Sequence, residues 1–290
     1  MNRQAIVLEA WANRAAAEDQ SGRLVSFHLP RRMERPLPGQ TVHLDELDEL
    51  VEVVPPRTRF GRGDPRGRFK PIAVDLDQAL IVIAAKPAPS PVLIHRYLAA
   101  CHLCGVEPVV VINKSDLEPP DQPPFCHLGA LEDLGYTIVR TRCQPNADVA
   151  QLASHLREKT SLIAGQSGVG KTSLVNALIP DLQAQTGALS SVTGKGTHTT
   201  TSARLRRLPD SGWLIDTPGV WEYGLWRMSP PELVRGFPEF LPLSGGCRFR
   251  DCTHQHEPGC SIRAAVASGE LPEFRHVAWL KLLEEQARLG

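Results

Sequence analysis

Apolar positions along the chain follow two rhythms. Over residues 1–66, short apolar runs (Ala5–Ala10, Arg23–Leu29, Thr41–Leu44, Val51–Val54) are separated by Gly, Pro and charged residues, which predicts a small antiparallel β domain of barrel type. Gly61–Gly67 has turn composition and is expected to end it. From Ile72 the runs become continuous. Ala79–Ala85 (ALIVIAA) and Val109–Ile112 (VVVI) lack the alternation of a half-exposed strand and predict strands buried on both faces. Pro91–Cys104 and Ala147–Glu158 carry helical spacing, Leu174–Leu178 continues a helix, and Gly135–Arg140, Thr160–Ala164 and Trp213–Ile215 read as further strands. This alternation predicts an α/β domain with a mostly parallel sheet over residues 67–236. Residues 237–290 are rich in Pro, Gly, Cys and His and end in a helical stretch, Pro272–Leu289.

Three motifs sit at predicted strand ends. Gly165-Gln166-Ser167-Gly168-Val169-Gly170-Lys171-Thr172, followed by Ser173, fits the phosphate-loop pattern, between a strand and a helix. Its glycines let backbone N–H groups wrap phosphates, Lys171 reaches the β- and γ-phosphates, and the Thr172 hydroxyl suits Mg²⁺. Asp216-Thr217-Pro218-Gly219 follows Trp213–Ile215; Asp216 suits a Mg²⁺-bound water, and the Gly219 N–H suits the γ-phosphate. Asn113-Lys114-Ser115-Asp116 follows Val109–Ile112. A carboxylate such as Asp116 pairs with the N1–H and 2-amino edge of guanine, which adenine lacks. Either of the last two alone would read as an ordinary turn; the three together point to a guanine-nucleotide site.

The order of these motifs, with the threonine-rich Gly196–Thr201 (GTHTTT) before DTPG, resembles the circularly permuted GTPases that assist bacterial small ribosomal subunit maturation, the ribosome small subunit-dependent GTPase A family. The similarity is strong from about Pro71 to Gly219 and across the cysteine cluster, and weak over residues 1–66. The resemblance implies an OB-fold at residues 1–66, a zinc domain at 237–290, GTP hydrolysis with Mg²⁺, and binding to the small ribosomal subunit and its 16S rRNA by a monomer. Two departures stand out: Thr197 replaces the family's usual arginine in the switch segment, and Thr141-Arg142-Cys143 replaces its Ser-Ala-Lys-like guanine loop. Val220 occupies the place where Ras-like proteins carry a water-orienting Gln. His198 is the candidate for that work, with Thr199 or Thr200 on Mg²⁺.

Cysteine usage adds a metal. Cys247, Cys252 and Cys260 lie close together, with His254 and His256 as competing fourth ligands; three thiolates and an imidazole suit a closed, structural Zn²⁺ site. The family pattern selects His254. Cys101, Cys104, Cys126 and Cys143 read as structural. Net charge is zero, so composition does not announce a nucleic-acid binder, although Arg57–Lys70 carries six basic residues against one acid. No apolar run reaches the roughly 20 residues of a membrane span, and no leader pattern opens the chain, so a cytoplasmic protein is expected. The competing readings are a P-loop ATPase or small-molecule kinase, and an RNA-binding module that only holds nucleotide.

Overall fold

The computed structural model describes residues 2–31, 33–182, 203–217 and 223–289. His198, Thr199, Thr200, Gly219 and Val220 lie outside the described residues.

Strands β1 (Arg3–Trp11), β2 (Arg14–Asp19), β3 (Leu24–His28), β4 (Thr41–Leu44) and β5 (Leu50–Val53) form an antiparallel sheet in the order β3-β2-β1-β4-β5. Val7, Ala17, Val25, Phe27 and Val42 share one buried interior, with Leu50 and Val53 packed against it. A sheet whose five strands enclose a common core must curl, which gives the barrel-like domain. The Ala-rich β2 escaped the apolar pattern because it is buried on both sides: Ala15 and Ala17 face the barrel interior, and Ala16 packs into the core of the next unit. A bulge in β1 between Val7 and Glu9 shifts the strand's phase. Val7 and Ala10 point into the barrel, whereas Leu8 joins the neighbouring core.

Strands β6 (Arg59–Gly63) and β7 (Phe69–Val74) pair as a hairpin. The expected turn over Gly61–Gly67 is therefore half strand. The reversal is confined to Asp64–Gly67, where the Asp64 carboxylate accepts the N–H groups of Arg66 and Arg68. Cross-strand pairing with β7 and a hydrogen bond from Gly63 N–H to Gly224 O hold the strand portion, and neither leaves a local pattern.

Strands β8 (Gln78–Ala84), β9 (Glu107–Asn113), β10 (Thr137–Arg140), β11 (Thr160–Gly165), β12 (Arg204–Arg207) and β13 (Trp213–Asp216) form the second sheet, ordered β10-β9-β8-β11-β13-β12. All ladders are parallel except β12–β13. Every residue of β8 is buried, as its continuous apolar run predicts. Its alternate residues serve two cores. Ile81 and Ile83 pack with helix α1 (Leu93–Leu103), while Leu80 and Val82 pack with α3 (Ala150–Leu156) and α4 (Lys171–Leu178). Helix α2 (Leu128–Asp133) precedes β10.

The C-terminal part carries α5 (Pro230–Val234), α6 (Leu241–Ser244), α7 (Ser261–Ser268) and α8 (Glu273–Arg288). Ser229 and Glu232 form a capping box at the start of α5, satisfying backbone donors that the first turn leaves free. Arg275 of α8 is fully buried and fastens this part to the α/β sheet. Its guanidinium pairs with Glu239 at 2.5 Å, donates to His95 Nδ1 of α1 at 2.8 Å, and lies 4.5 Å from the Phe237 ring. His95 accepts that bond as a neutral imidazole; burial, then the Arg275 charge, hold its pKa well below the ordinary histidine range. Among the described residues, no helix is long and apolar enough to cross a membrane.

Candidate nucleotide site and metal centre

Strand register assembles the site. Asn113 is paired with Ala84, Gly165 with Val82, and Asp216 with Ile163. The carboxyl ends of β9, β8, β11 and β13 therefore lie side by side, and motifs far apart in the chain meet at one edge. From β8 the chain builds outward through β9 and β10, then returns to place β11 on the other side of β8. The crevice at such a reversal is where open α/β sheets bind ligands.

The phosphate loop bends through Gly165, Gly168 and Gly170, with φ of 142°, 80° and 95°. These lie in the left-handed region that favours glycine. Val169 is buried beneath the loop, and α4 begins at Lys171 with Gly170 as its N-cap and no side-chain cap. Its first N–H groups are thus left for an anion. Lys171 Nζ donates to Gly165 O at 2.8 Å and Gln166 O at 2.7 Å. Burial lowers the Lys171 pKa, and nearby Asp216 pulls it back up. Burial raises the Asp216 pKa, and Arg206, Lys171 and Arg204 pull it down. Thr172 and Ser173, on the first turn of α4, are exposed.

Asn113 is 2% exposed and braces the loop. Its Nδ2 donates to Val169 O at 2.8 Å, and its Oδ1 accepts from the Thr141 hydroxyl at 3.1 Å. Lys114 Nζ donates to Gly168 O and Lys86 O, both at 2.8 Å. Ser115 N–H donates to Thr141 O at 3.0 Å, so the Thr141–Cys143 loop and the Asn113–Asp116 turn are tied together. Asp116 itself is exposed, free to meet a base edge.

A Cβ on Gly170 would overlap Asn113 Nδ2, whereas one on Gly168 would meet only Pro87 at 3.4 Å. Both substitutions strain a positive φ, at about 1–3 kcal/mol. Gly170→Ala is therefore expected to lower both melting temperature and nucleotide affinity more than Gly168→Ala, in thermal melts and nucleotide titrations. Equal losses would remove the Asn113 brace from the account.

Two aromatic residues were invisible in the motifs. The ring of Tyr97, on α1, stacks on Tyr223 with centroids 4.2 Å apart. Tyr223 follows the DTPG segment and donates to Gly61 O at 2.5 Å. Tertiary contact alone reveals this stack, because no spacing rule links a helix tyrosine to a loop that follows it by more than a hundred residues.

The second centre lies in the C-terminal part. The ligand atoms of Cys247, Cys252, His254 and Cys260 all lie within 4.8 Å of one another and can hold a metal ion. His254 Nδ1 is 3.6 Å from Cys247 Sγ and 3.4 Å from Cys260 Sγ. His254 is 3% exposed, whereas His256 faces solvent. The chain around His254 is anchored by His276 Nε2 on its carbonyl at 2.7 Å and by Trp279 Nε1 on Thr253 O at 3.0 Å.

A parallel sheet carrying a phosphate loop, an Asn-Lys-x-Asp turn and a DTPG strand end at one edge, in rotated chain order, defines a circularly permuted P-loop GTPase. The RsgA GTPase family model matches residues 54–226. The chain belongs to that family. It is 39% identical to small ribosomal subunit biogenesis GTPase RsgA 1 of Vibrio vulnificus, over 99% of this chain and 84% of that protein. It is 42% identical to its Chromohalobacter salexigens counterpart, over 90% of this chain and 80% of that protein. Among solved structures, YjeQ from Thermotoga maritima superposes with a TM-score of 0.76 at 28% identity, covering 99% of each chain. The circularly permuted GTPase YloQ superposes with a TM-score of 0.77 at 24% identity, covering 100% of this chain and 96% of that one, a likeness of fold.

Proposed function

We propose that this chain hydrolyses GTP to GDP and phosphate during late maturation of the small ribosomal subunit, binding 16S rRNA and switching or dissociating on hydrolysis. The observation that carries this reading is the convergence of the phosphate loop, Asn113 and Asp216 at one sheet edge. Gly165–Ser173 cradle the phosphates, Lys171 neutralises them, and Asp116 selects guanine over adenine. Thr172, and Asp216 through a bound water, would hold Mg²⁺, which would supply charge neutralisation at the phosphates. The negative end of that fit is Asp216, half-buried at the strand end and within the electrostatic reach of Lys171. Gly219 senses the γ-phosphate, and His198 does part of the work of orienting the attacking water in place of the missing Gln, with Thr199 or Thr200 as a ligand for Mg²⁺. In the Cys247–Cys252–His254–Cys260 centre a tetrahedral Zn²⁺, with bonds of about 2.3 Å to sulfur and 2.0 Å to nitrogen, would set S–N edges of about 3.5 Å. The separations of 3.4 and 3.6 Å match that size. All four positions are protein ligands, so the ion is structural. The protein acts in the cytoplasm as a monomer.

Steady-state GTP turnover, measured with and without small ribosomal subunits and with excess ATP as competitor, tests the reading. Slow intrinsic turnover that subunits raise by roughly 10³–10⁵ is expected, unaffected by ATP. Subunit-independent turnover would remove the ribosomal partner, and ATP competition would favour a P-loop ATPase. His198→Ala is expected to lose most of the stimulated rate, and full stimulated turnover in that variant would leave His198 without a catalytic role.

A further inference from the structure

We infer that Glu9 of the barrel is a positioning residue for Asp216, acting through the arginines of β12, so that the seat of the barrel on the sheet governs how readily Asp216 receives the nucleotide's divalent cation. The inference rests on the proposed reading of Asp216.

The β1 bulge is the starting point. Unbroken alternation from Ala5 and Val7 would aim residue 9 into the apolar barrel core. The register step after Val7 instead returns Ala10 to that core and leaves Glu9 facing the α/β domain. Glu9 is 1% exposed, and its Oε2 lies 2.7 Å from Arg204 Nε, itself only 17% exposed at the side chain. A carboxylate this deeply buried is tolerated only with a charged partner, and removing one partner strands the other. The barrel grips the same strand again through Arg207, which pairs with Glu18 and covers the Trp213 ring at 4.6 Å.

Strand β12 carries this grip to the nucleotide edge. Arg204 sits directly opposite Asp216 in the β12–β13 ladder. Arg206, two residues on and on the same face of β12, lies among the charges of Asp216, Arg204 and Glu9. Arg204 therefore meets one carboxylate from the barrel and lies opposite another at the end of β13. Arg204 Nε lies against Glu9 as an ion pair, and the Arg204 charge also acts on Asp216 opposite it. With Glu9 neutralised, Arg204 is left facing Asp216, its partner across the β12–β13 ladder. An arginine fork on Asp216 occupies the lone pairs that a cation or its bound water needs.

Glu9→Gln keeps the shape and removes the charge. The readout is the Mg²⁺ concentration at half-saturation for binding of a fluorescent non-hydrolysable GTP analogue, alongside affinity in EDTA and melting temperature. Glu9→Gln is expected to raise the Mg²⁺ midpoint about three- to tenfold, with affinity in EDTA unchanged, and Glu9→Gln/Arg204→Gln to return it to within about twofold of the parent. Arg204→Gln alone is expected to lower the midpoint, which decides the matter should Glu9→Gln not fold. A purely structural role predicts lower melting temperatures and equal affinity losses with and without Mg²⁺, and that pattern overturns the inference. Asp216→Asn separates the two layers. If it retains full Mg²⁺ dependence, the cation reading of Asp216 fails and the inference with it. If it loses that dependence while Glu9→Gln leaves the midpoint unmoved, the inference alone fails.

Discussion

Lys171→Ala is expected to weaken guanine-nucleotide binding by on the order of 10²–10⁴-fold, corresponding to two hydrogen bonds from a charged donor at about 1.5–3 kcal/mol each. The contacts of Lys171 show why the loss falls on binding more than on folding. Lys171 Nζ caps the carbonyls of Gly165 and Gln166, sealing the loop on itself. Binding phosphate exchanges those neutral acceptors for anionic ones, and charge-assisted bonds are roughly twice as strong. The alanine variant forfeits both sets. Its fold loses only two bonds to backbone carbonyls, while its complex loses the cation that offsets phosphate charge. Burial already lowers the Lys171 pKa, so the charged form must be held by anions, and Asp216 is one such anion in the free protein. Titration with a fluorescent GDP analogue and a thermal melt check both halves. An affinity within tenfold of the parent would show that Lys171 does not hold the phosphates.

Cys260→Ser is expected to unfold the segment around the proposed metal ligands while sparing nucleotide binding. Cys260 is 5% exposed and forms the N-cap of α7, so its sulfur joins the loop of Cys247–Cys252 to the following helix. Apparent binding free energies of structural Zn²⁺ reach about 10–16 kcal/mol in small peptides, where metal binding and folding are one event. The effect on this chain is smaller because other contacts persist. Trp279 packs against Phe237, Phe240 and His254, and Arg275 ties α8 to α1. A loss of about 3–5 kcal/mol is expected, which lowers the melting temperature by roughly 10 °C or more in a domain of this size. Trp279 is fully buried and reports the change by fluorescence. Chelation of the parent protein should reproduce the variant's melt. A chelated protein with the melting temperature of the metal-loaded one would mean that the four ligands hold no structural ion.

The chemistry was legible wherever it depends on short-range spacing. Glycines at the bends of a phosphate loop, a lysine opening the following helix, and cysteines a few residues apart all work through backbone geometry close to the residue itself. The buried strands β8 and β9 were equally plain, because burial on both faces leaves an uninterrupted apolar run. Strands β2 and β12 were not. In β2 alanine is required by lack of room between two cores. In β12 three arginines occupy an edge strand whose charges are answered from the barrel and from Asp216. Each signature belongs to a neighbour distant in sequence, and no local period carries it.

The sequence by itself determined the class of chemistry: a guanine-nucleotide site built from three loops in permuted order, and a cluster of soft metal ligands with two competing histidines. It did so because those loops act through their own residues. Spacing alone left His254 and His256 open and the family pattern pointed to His254; the tertiary structure supplies the physical reason, since Trp279 and His276 hold the backbone around the inward-turned His254. The tertiary structure alone brought Asn113 beneath Val169, Tyr97 against Tyr223, and Glu9 onto Arg204. Each of these pairs is selected by strand register, a bulge or helix packing. Those are set by the fit of whole faces against one another, a property of the assembled chain and of no single stretch within it.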